Sequence, residues 1–139
     1  MRSINPTRES LMRFRESLPK NTPIVMLNLL RFRDKAHYPQ GSSFEGCSGR
    51  QAYKRYSDIA LEKLYEIGGK PIWMSKAMTS LIAPEGEAWD EVILVKYPSV
   101  DAFFTMIQMP EYLAATIHRE AALEDSRLIA TIEILSEMG

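Results

Sequence analysis

The chain has one cysteine, Cys47, and two histidines, His37 and His118, in 139 residues. A lone cysteine excludes an internal disulfide and fits a reducing compartment. One cysteine and two histidines without a ligand spacing argue against a structural zinc site. There is no run of about 18 apolar residues to span a membrane, and no apolar stretch follows the opening Met1-Arg2-Ser3-Ile4-Asn5-Pro6 as a signal peptide requires. The 17 Lys and Arg residues are balanced by 18 Asp and Glu, and no basic block stands out. Nucleic acid as main partner is thereby disfavoured, since it demands a clustered basic face. A glycine-rich phosphate loop, a nucleophile elbow and a dinucleotide fingerprint are also missing. These absences predict a cytoplasmic protein with no cofactor, no metal, no nucleic acid and no membrane partner.

What is present is ordinary globular material, 45% hydrophobic and 25% charged. At this length it fits one domain over 1–139 that buries roughly two-thirds of its unfolded surface. The stretch Pro23-Ile24-Val25-Met26-Leu27-Asn28-Leu29-Leu30-Arg31-Phe32 reads as a strand covered on both faces, with one amide at its centre. A buried amide without partners costs about 1–3 kcal/mol, so Asn28 is the first candidate for a site.

Around that strand the periodicities predict a helix over about 6–18, with Asn5 as cap and Pro6 in the first turn. A long Gly-, Ser- and Pro-rich loop follows over 32–49, a length expected of a lid or an oligomer contact. A helix is predicted from about 49 to 67, ended by Gly68-Gly69. Strands are expected at 71–82 and 89–97, then a helix over 99–108, a second helical segment from Pro110 to about 124, and a strand at 127–135. After the leading helix the order is β-α-β-β-α-β, the split βαβ pattern of a ferredoxin-like α+β fold with a four-stranded antiparallel sheet. Both helices then cover one face. Large apolar residues such as Met26, Leu30, Trp73, Ile93 and Ile129 fall on both faces, so the uncovered face predicts a homodimer packed sheet on sheet.

Several stretches together resemble the DUF1330 family, within the dimeric α+β barrel superfamily. They are Val25 to Phe32, Gly49-Arg50-Gln51-Ala52-Tyr53-Lys54-Arg55-Tyr56, Gly68-Gly69-Lys70, Trp89-Asp90 through Tyr97-Pro98-Ser99, Pro110-Glu111-Tyr112, Arg119, and Asp125 to Ile129. The resemblance implies a sheet-on-sheet homodimer with a cavity near the helices. The superfamily includes cofactor-free monooxygenases, isomerases, haem enzymes and plain binding proteins, and the family itself brings no assigned chemistry.

Six residues are candidates for ligand contact. Asn28 offers a donor and an acceptor from mid-strand. Tyr53 and Tyr56 lie three apart on one helix and carry hydroxyls that need partners if buried. Tyr112 and Arg119 lie seven apart, two turns, on one face of another. Arg119 supplies a guanidinium fork suited to a carboxylate, or to a salt bridge with Asp125, Glu124 or an acid of a partner chain. His118 is the obvious acid or base by pKa and the one plausible haem ligand, yet points about 100° away from Arg119 around the helix. Two functions remain open at this stage. One is a small-molecule pocket in a homodimeric barrel, binding alone or catalysing a cofactor-free oxidation or isomerisation. The other is a structural or interaction homodimer with no small-molecule site.

Overall fold

The computed structural model describes residues 2–134. It contains α1 (Arg8–Ser17), β1 (Ile24–Phe32), α2 (Gly49–Glu66), β2 (Lys70–Lys76), β3 (Glu91–Tyr97), α3 (Val100–Ile107), α4 (Pro110–Ala122) and β4 (Leu123–Thr131). The four strands form one antiparallel sheet in the order β2-β3-β1-β4. The fold is ferredoxin-like α+β, as the element order predicts.

The helix starts follow local chemistry. Thr7, not Asn5, caps α1, because its hydroxyl accepts from Ser10 N while Ser10 reaches back to Thr7 N. Ser48 and Gln51 form the same reciprocal box at the start of α2. That helix ends at Gly68, whose φ of 81° only glycine adopts without strain.

Two boundaries differ by four residues or more from those read from sequence. Strand β2 stops at Lys76 rather than 82. Beyond Ala77, whose N–H donates to Asp90 O, the chain leaves the ladder, and Leu81 and Ile82 are each 94% exposed. Strand β4 begins at Leu123, four residues early, because it follows α4 without a loop and pairs with Phe32 through a bulge. Its expected end at Leu135 lies outside the described residues. The loop between β1 and α2 is folded rather than open. Lys35 bridges Ser48, Arg33 N donates to Ala122 O and His37 N donates to Ala121 O, so the loop is fastened to the end of α4.

Strand alternation assigns the faces. Ile24, Met26, Asn28 and Leu30 face the helices together with Glu91, Ile93, Val95 and Tyr97 of β3 and Ser126, Leu128 and Ala130 of β4. Val25, Leu27, Leu29, Val92, Leu94 and Ile129 share the opposite face with Trp73, and no element of the chain covers it among the described residues. Trp73 is 59% exposed there.

Candidate functional site

The helix-facing core falls into two buried clusters that half-buried Val95 joins. One buried cluster holds Ile24, Met26, Leu64, Tyr97, Val100, Phe103 and Met106, and a second holds Leu30, Ala52, Ile93, Ala121, Ala122 and Leu123. Asn28 sits between them, since period two puts it between Met26 of the first and Leu30 of the second. The seam between the clusters holds the amide of Asn28 beside the apolar Val95. Leu128, opposite Asn28 on β4, is 44% exposed, so the helix layer does not close over the sheet at that edge.

Asn28 Nδ2 donates to Met26 O and Ile93 O, each at 3.3 Å, and its Oδ1 accepts nothing among the described residues. From above, α2 contributes Tyr53 and Tyr56, one helical turn apart with ring centroids 5.3 Å from each other. Tyr53 packs edge-on against Phe32 and borders the second cluster. Tyr112 of α4 borders the first, and its hydroxyl lies 2.8 Å from that of Tyr56. Tyr97 points up from β3 inside the first cluster. The Tyr53 and Tyr97 hydroxyls have no hydrogen-bond partner among the described residues.

Burial pushes the phenol pKa values of Tyr53, Tyr56 and Tyr97 well above 10.0, while Arg119 pulls those of Tyr53 and Tyr56 part of the way back. These hydroxyls are therefore neutral donors and acceptors near neutral pH, not bases. Arg119 lies two turns along α4 from Tyr112, where its guanidinium donates to Ile4 O and to Ser126 Oγ at 3.5 Å. The expected salt bridge of Arg119 with Asp125 or Glu124 does not form. Asp125 instead takes Arg127 at 2.7 Å and Glu124 takes Arg33 at 3.1 Å. Beside the seam, an open cleft of about 390 Å³ is lined by Arg50, Met74, Ser75, Lys76 and Glu91, and Glu91 is close enough to Tyr53 to raise its pKa further.

Tyr53, Tyr56, Tyr112 and Arg119 thus gather between α2 and α4, Asn28 lies on the helix-facing side of the sheet between the two clusters, and His118 joins neither. It faces the loop between β1 and α2, where Nδ1 is 2.6 Å from the Tyr38 hydroxyl and the ring stands edge-on to Phe44. Arg55 donates to Tyr38 OH at 3.3 Å and Cys47 Sγ at 3.2 Å, completing a closed latch under that loop. Burial, assisted by the charge of Arg55, lowers the pKa of His118. A shallow depression of about 690 Å³ lies beside the latch, lined by His37, Tyr38, Glu45, Glu120 and their neighbours.

Sequence reasoning missed Tyr97 and Ser126. Strand alternation carried a signal for Tyr97, which shares a face with Ile93 and Val95. Ser126 sits among charged neighbours and gives none. No group of three or more His, Cys, Asp or Glu side chains that could hold a metal occurs among the described residues.

The model of a domain of unknown function, DUF1330, matches residues 47–132. The chain belongs to the DUF1330 family. The match includes α2 and α4, the elements that carry Tyr53, Tyr56, Tyr112 and Arg119. Among solved structures, methylated RPA0582 is 42% identical over 95% of both chains, with a TM-score of 0.87. RPA0582 from Rhodopseudomonas palustris, a protein of unknown function, is 41% identical over 96% of this chain and 98% of that one, with a TM-score of 0.87. A hydroxynitrile lyase from Passiflora edulis shares 10% identity over 81% of this chain and 94% of its own, with a TM-score of 0.52, a likeness of fold alone. No curated protein matches this DUF1330 chain. None of its described helices is long and apolar enough to cross a membrane.

Proposed function

We propose that this DUF1330 protein binds a small organic molecule in the seam between its two core clusters, without a cofactor. The observation that carries this reading is the set of unmatched polar groups there: Asn28 Oδ1 and the hydroxyls of Tyr53 and Tyr97. Among the described residues the one sealed side-chain polar atom without a partner is Arg33 Nε, so these three reach solvent, and a ligand that meets them does so by replacing water. Neutral phenols and one guanidinium suit a ligand bearing oxygen atoms on a flat apolar body. The same donors would favour negative charge developing on a bound carbonyl or phenol, which is what a cofactor-free oxidation or isomerisation requires. With His118 held in the latch, the seam has no side chain that titrates near neutral pH to move a proton, so binding is the reading we favour over catalysis.

The test is a thermal-shift screen of aromatic acids, quinones and short acyl compounds against the parent chain and Asn28→Leu. A ligand at 100 times its Kd stabilises by about 2.7 kcal/mol, an effect that Asn28→Leu should remove. Silence across the screen, or hits that survive both Asn28→Leu and Tyr56→Phe, would sink the seam as a site.

A second observation, the uncovered apolar face with Trp73 at 59% and Ile129 at 48% exposure, supports a homodimer joined through that face. Sedimentation at micromolar concentration should give a dimer for the parent chain and a monomer for Leu27→Glu. A parent chain that sediments as a monomer would remove the homodimer from the proposal.

A further inference from the structure

Residues 2–5 run past the end of α4 and the start of β4 with no regular structure, yet each is tied down. Arg2 donates through Nε to Glu124 O at 2.6 Å and through a terminal nitrogen to Leu123 O at 3.3 Å. Ser3 N donates to Asp125 Oδ1 at 2.8 Å, Asn5 Nδ2 donates to Glu120 Oε1 at 3.2 Å, and Ile4 packs on the second core cluster. Two carbonyls of this strap enter the end of the seam. Ser3 O accepts from the buried Ser126 hydroxyl, and Ile4 O accepts from Arg119.

Arg119 therefore has a neutral carbonyl where a half-buried cation calls for an anion. Among the described residues no carboxylate pairs with it, and the three acids nearest in sequence are engaged elsewhere: Glu120 by Asn5, Glu124 by Arg33 and Asp125 by Arg127. The two donors held by the strap, Arg119 and Ser126, lie 3.5 Å apart, within reach of the two oxygens of one carboxylate. Arg119 is close enough to Tyr53 and Tyr56 to pull their pKa values down, and aromatic rings of this kind suit a flat apolar body.

We infer that the ligand of this seam is a small aromatic carboxylate, and that the strap over residues 2–5 is the internal occupant it displaces from Arg119 and Ser126. This inference rests on the seam being a binding site and adds the chemical class and the competitor. Strap and ligand exclude each other at one pair of donors, so loosening the strap raises the affinity by up to the inverse of the fraction of time the site stands open in the parent chain.

Benzoate and its neutral analogue benzyl alcohol are the probes, titrated calorimetrically into the full chain and into Arg2→Ala/Asn5→Ala. That double variant loosens the strap at both ends and leaves every seam residue in place. Benzoate should bind about tenfold more tightly to the double variant than to the parent chain. Arg119→Gln should weaken benzoate at least about tenfold, with Arg119→Lys recovering part of it. In the parent chain, the backbone amide signals of Ser3 to Asn5 should move toward unstructured positions as benzoate is added. Equal benzoate affinity in the parent and the double variant, or strap signals that stay put while benzoate binds, overturns the inference. Benzyl alcohol binding as well as benzoate, and lost in Asn28→Leu, also overturns it but leaves the seam standing as a site. Failure of both probes and of every compound in the wider screen takes down the seam reading together with this one.

Discussion

The helix pair α2 and α4 carries a cluster of aromatic and cationic side chains on each of two sides. On the loop side, Cys47, Arg55, Tyr38 and His118 are joined in one chain of contacts from thiol to guanidinium to phenol to imidazole. On the sheet side, Tyr56 meets Tyr112, but among the described residues the hydroxyls of Tyr53 and Tyr97 and the carbonyl oxygen of Asn28 have no hydrogen-bond partner, and Arg119 donates only to neutral oxygens. The two clusters draw on nearly the same residue types. The difference is in what remains unmatched, and it separates a fastening from a candidate site. The residue that sequence chemistry ranks first for acid or base work, His118, belongs to the fastening.

The latch side should break most easily at Gly49. A Cβ added there would lie 2.2 Å from Arg33 O and 2.7 Å from Ala122 O, both main-chain atoms with little room to give. Gly49→Ala should cost about 3 kcal/mol or more, measured by urea unfolding, since overpacking against backbone has few escapes. A loss below about 1 kcal/mol would mean the loop is not fastened to α4 in this way.

Next in size, Tyr38→Phe removes the hydroxyl that joins His118 to Arg55 and should cost about 1–2 kcal/mol. It should also speed hydrogen exchange at the Ala36 and His37 amides, which donate to Cys47 O and Ala121 O. Unchanged exchange at both amides would show that the phenol is not what holds the loop down.

The clusters should also fail at opposite ends of the pH scale. His118 has its pKa lowered from 6.5 in the folded chain, so the unfolded chain takes up protons first as pH falls. Its contribution is complete above about 6.5 and drains away as pH drops toward the lowered value. Tyr53, Tyr56 and Tyr97 are raised above 10.0, so the unfolded chain loses protons first as pH climbs. Their contribution is intact below about 10 and is lost above it. Stability against pH should therefore slope at both ends, with His118→Gln reducing the acid slope just below about 6.5, ahead of the loss from Glu111 and Asp125, whose pKa values are lowered, and Tyr53→Phe trimming only the alkaline one. A single substitution that flattens both limbs would contradict the separation of the clusters.

Local chemistry made much of this arrangement readable in the sequence. Period two in β1 put Asn28 among the core-facing residues, and helical spacing grouped Tyr53 with Tyr56 and Tyr112 with Arg119. The same spacing turned His118 about 100° from Arg119, which is why one meets the loop and the other the seam. The parts that were not readable depend on pairings distant in sequence. Arg119 finds Ile4, 115 positions away, rather than the acids within six residues of it. Strand β4 starts early because Phe32 is there to pair with Leu123, and β2 stops at Lys76 although the residues after it have strand character. The loop over 32–49 was legible as a loop, but its fastening through Tyr38 and Arg55 depends on partners on two different helices.

The smallest predicted effect on stability discriminates best between the two sides. Tyr38→Phe and Tyr53→Phe delete the same atom from the same kind of residue on the two sides of one helix pair. In the latch that atom has two partners. In the seam it has none, so its removal takes away an unmatched polar group and leaves the ring packed against Phe32 and Tyr56. Tyr53→Phe should therefore shift stability at pH 7 by no more than about 0.5 kcal/mol, and in the stabilising direction if at all. The same substitution should weaken any ligand that meets the hydroxyl. A Tyr53→Phe variant that is markedly destabilised would show that the hydroxyl serves the fold and would take away one of the three unmatched groups on which the seam reading rests.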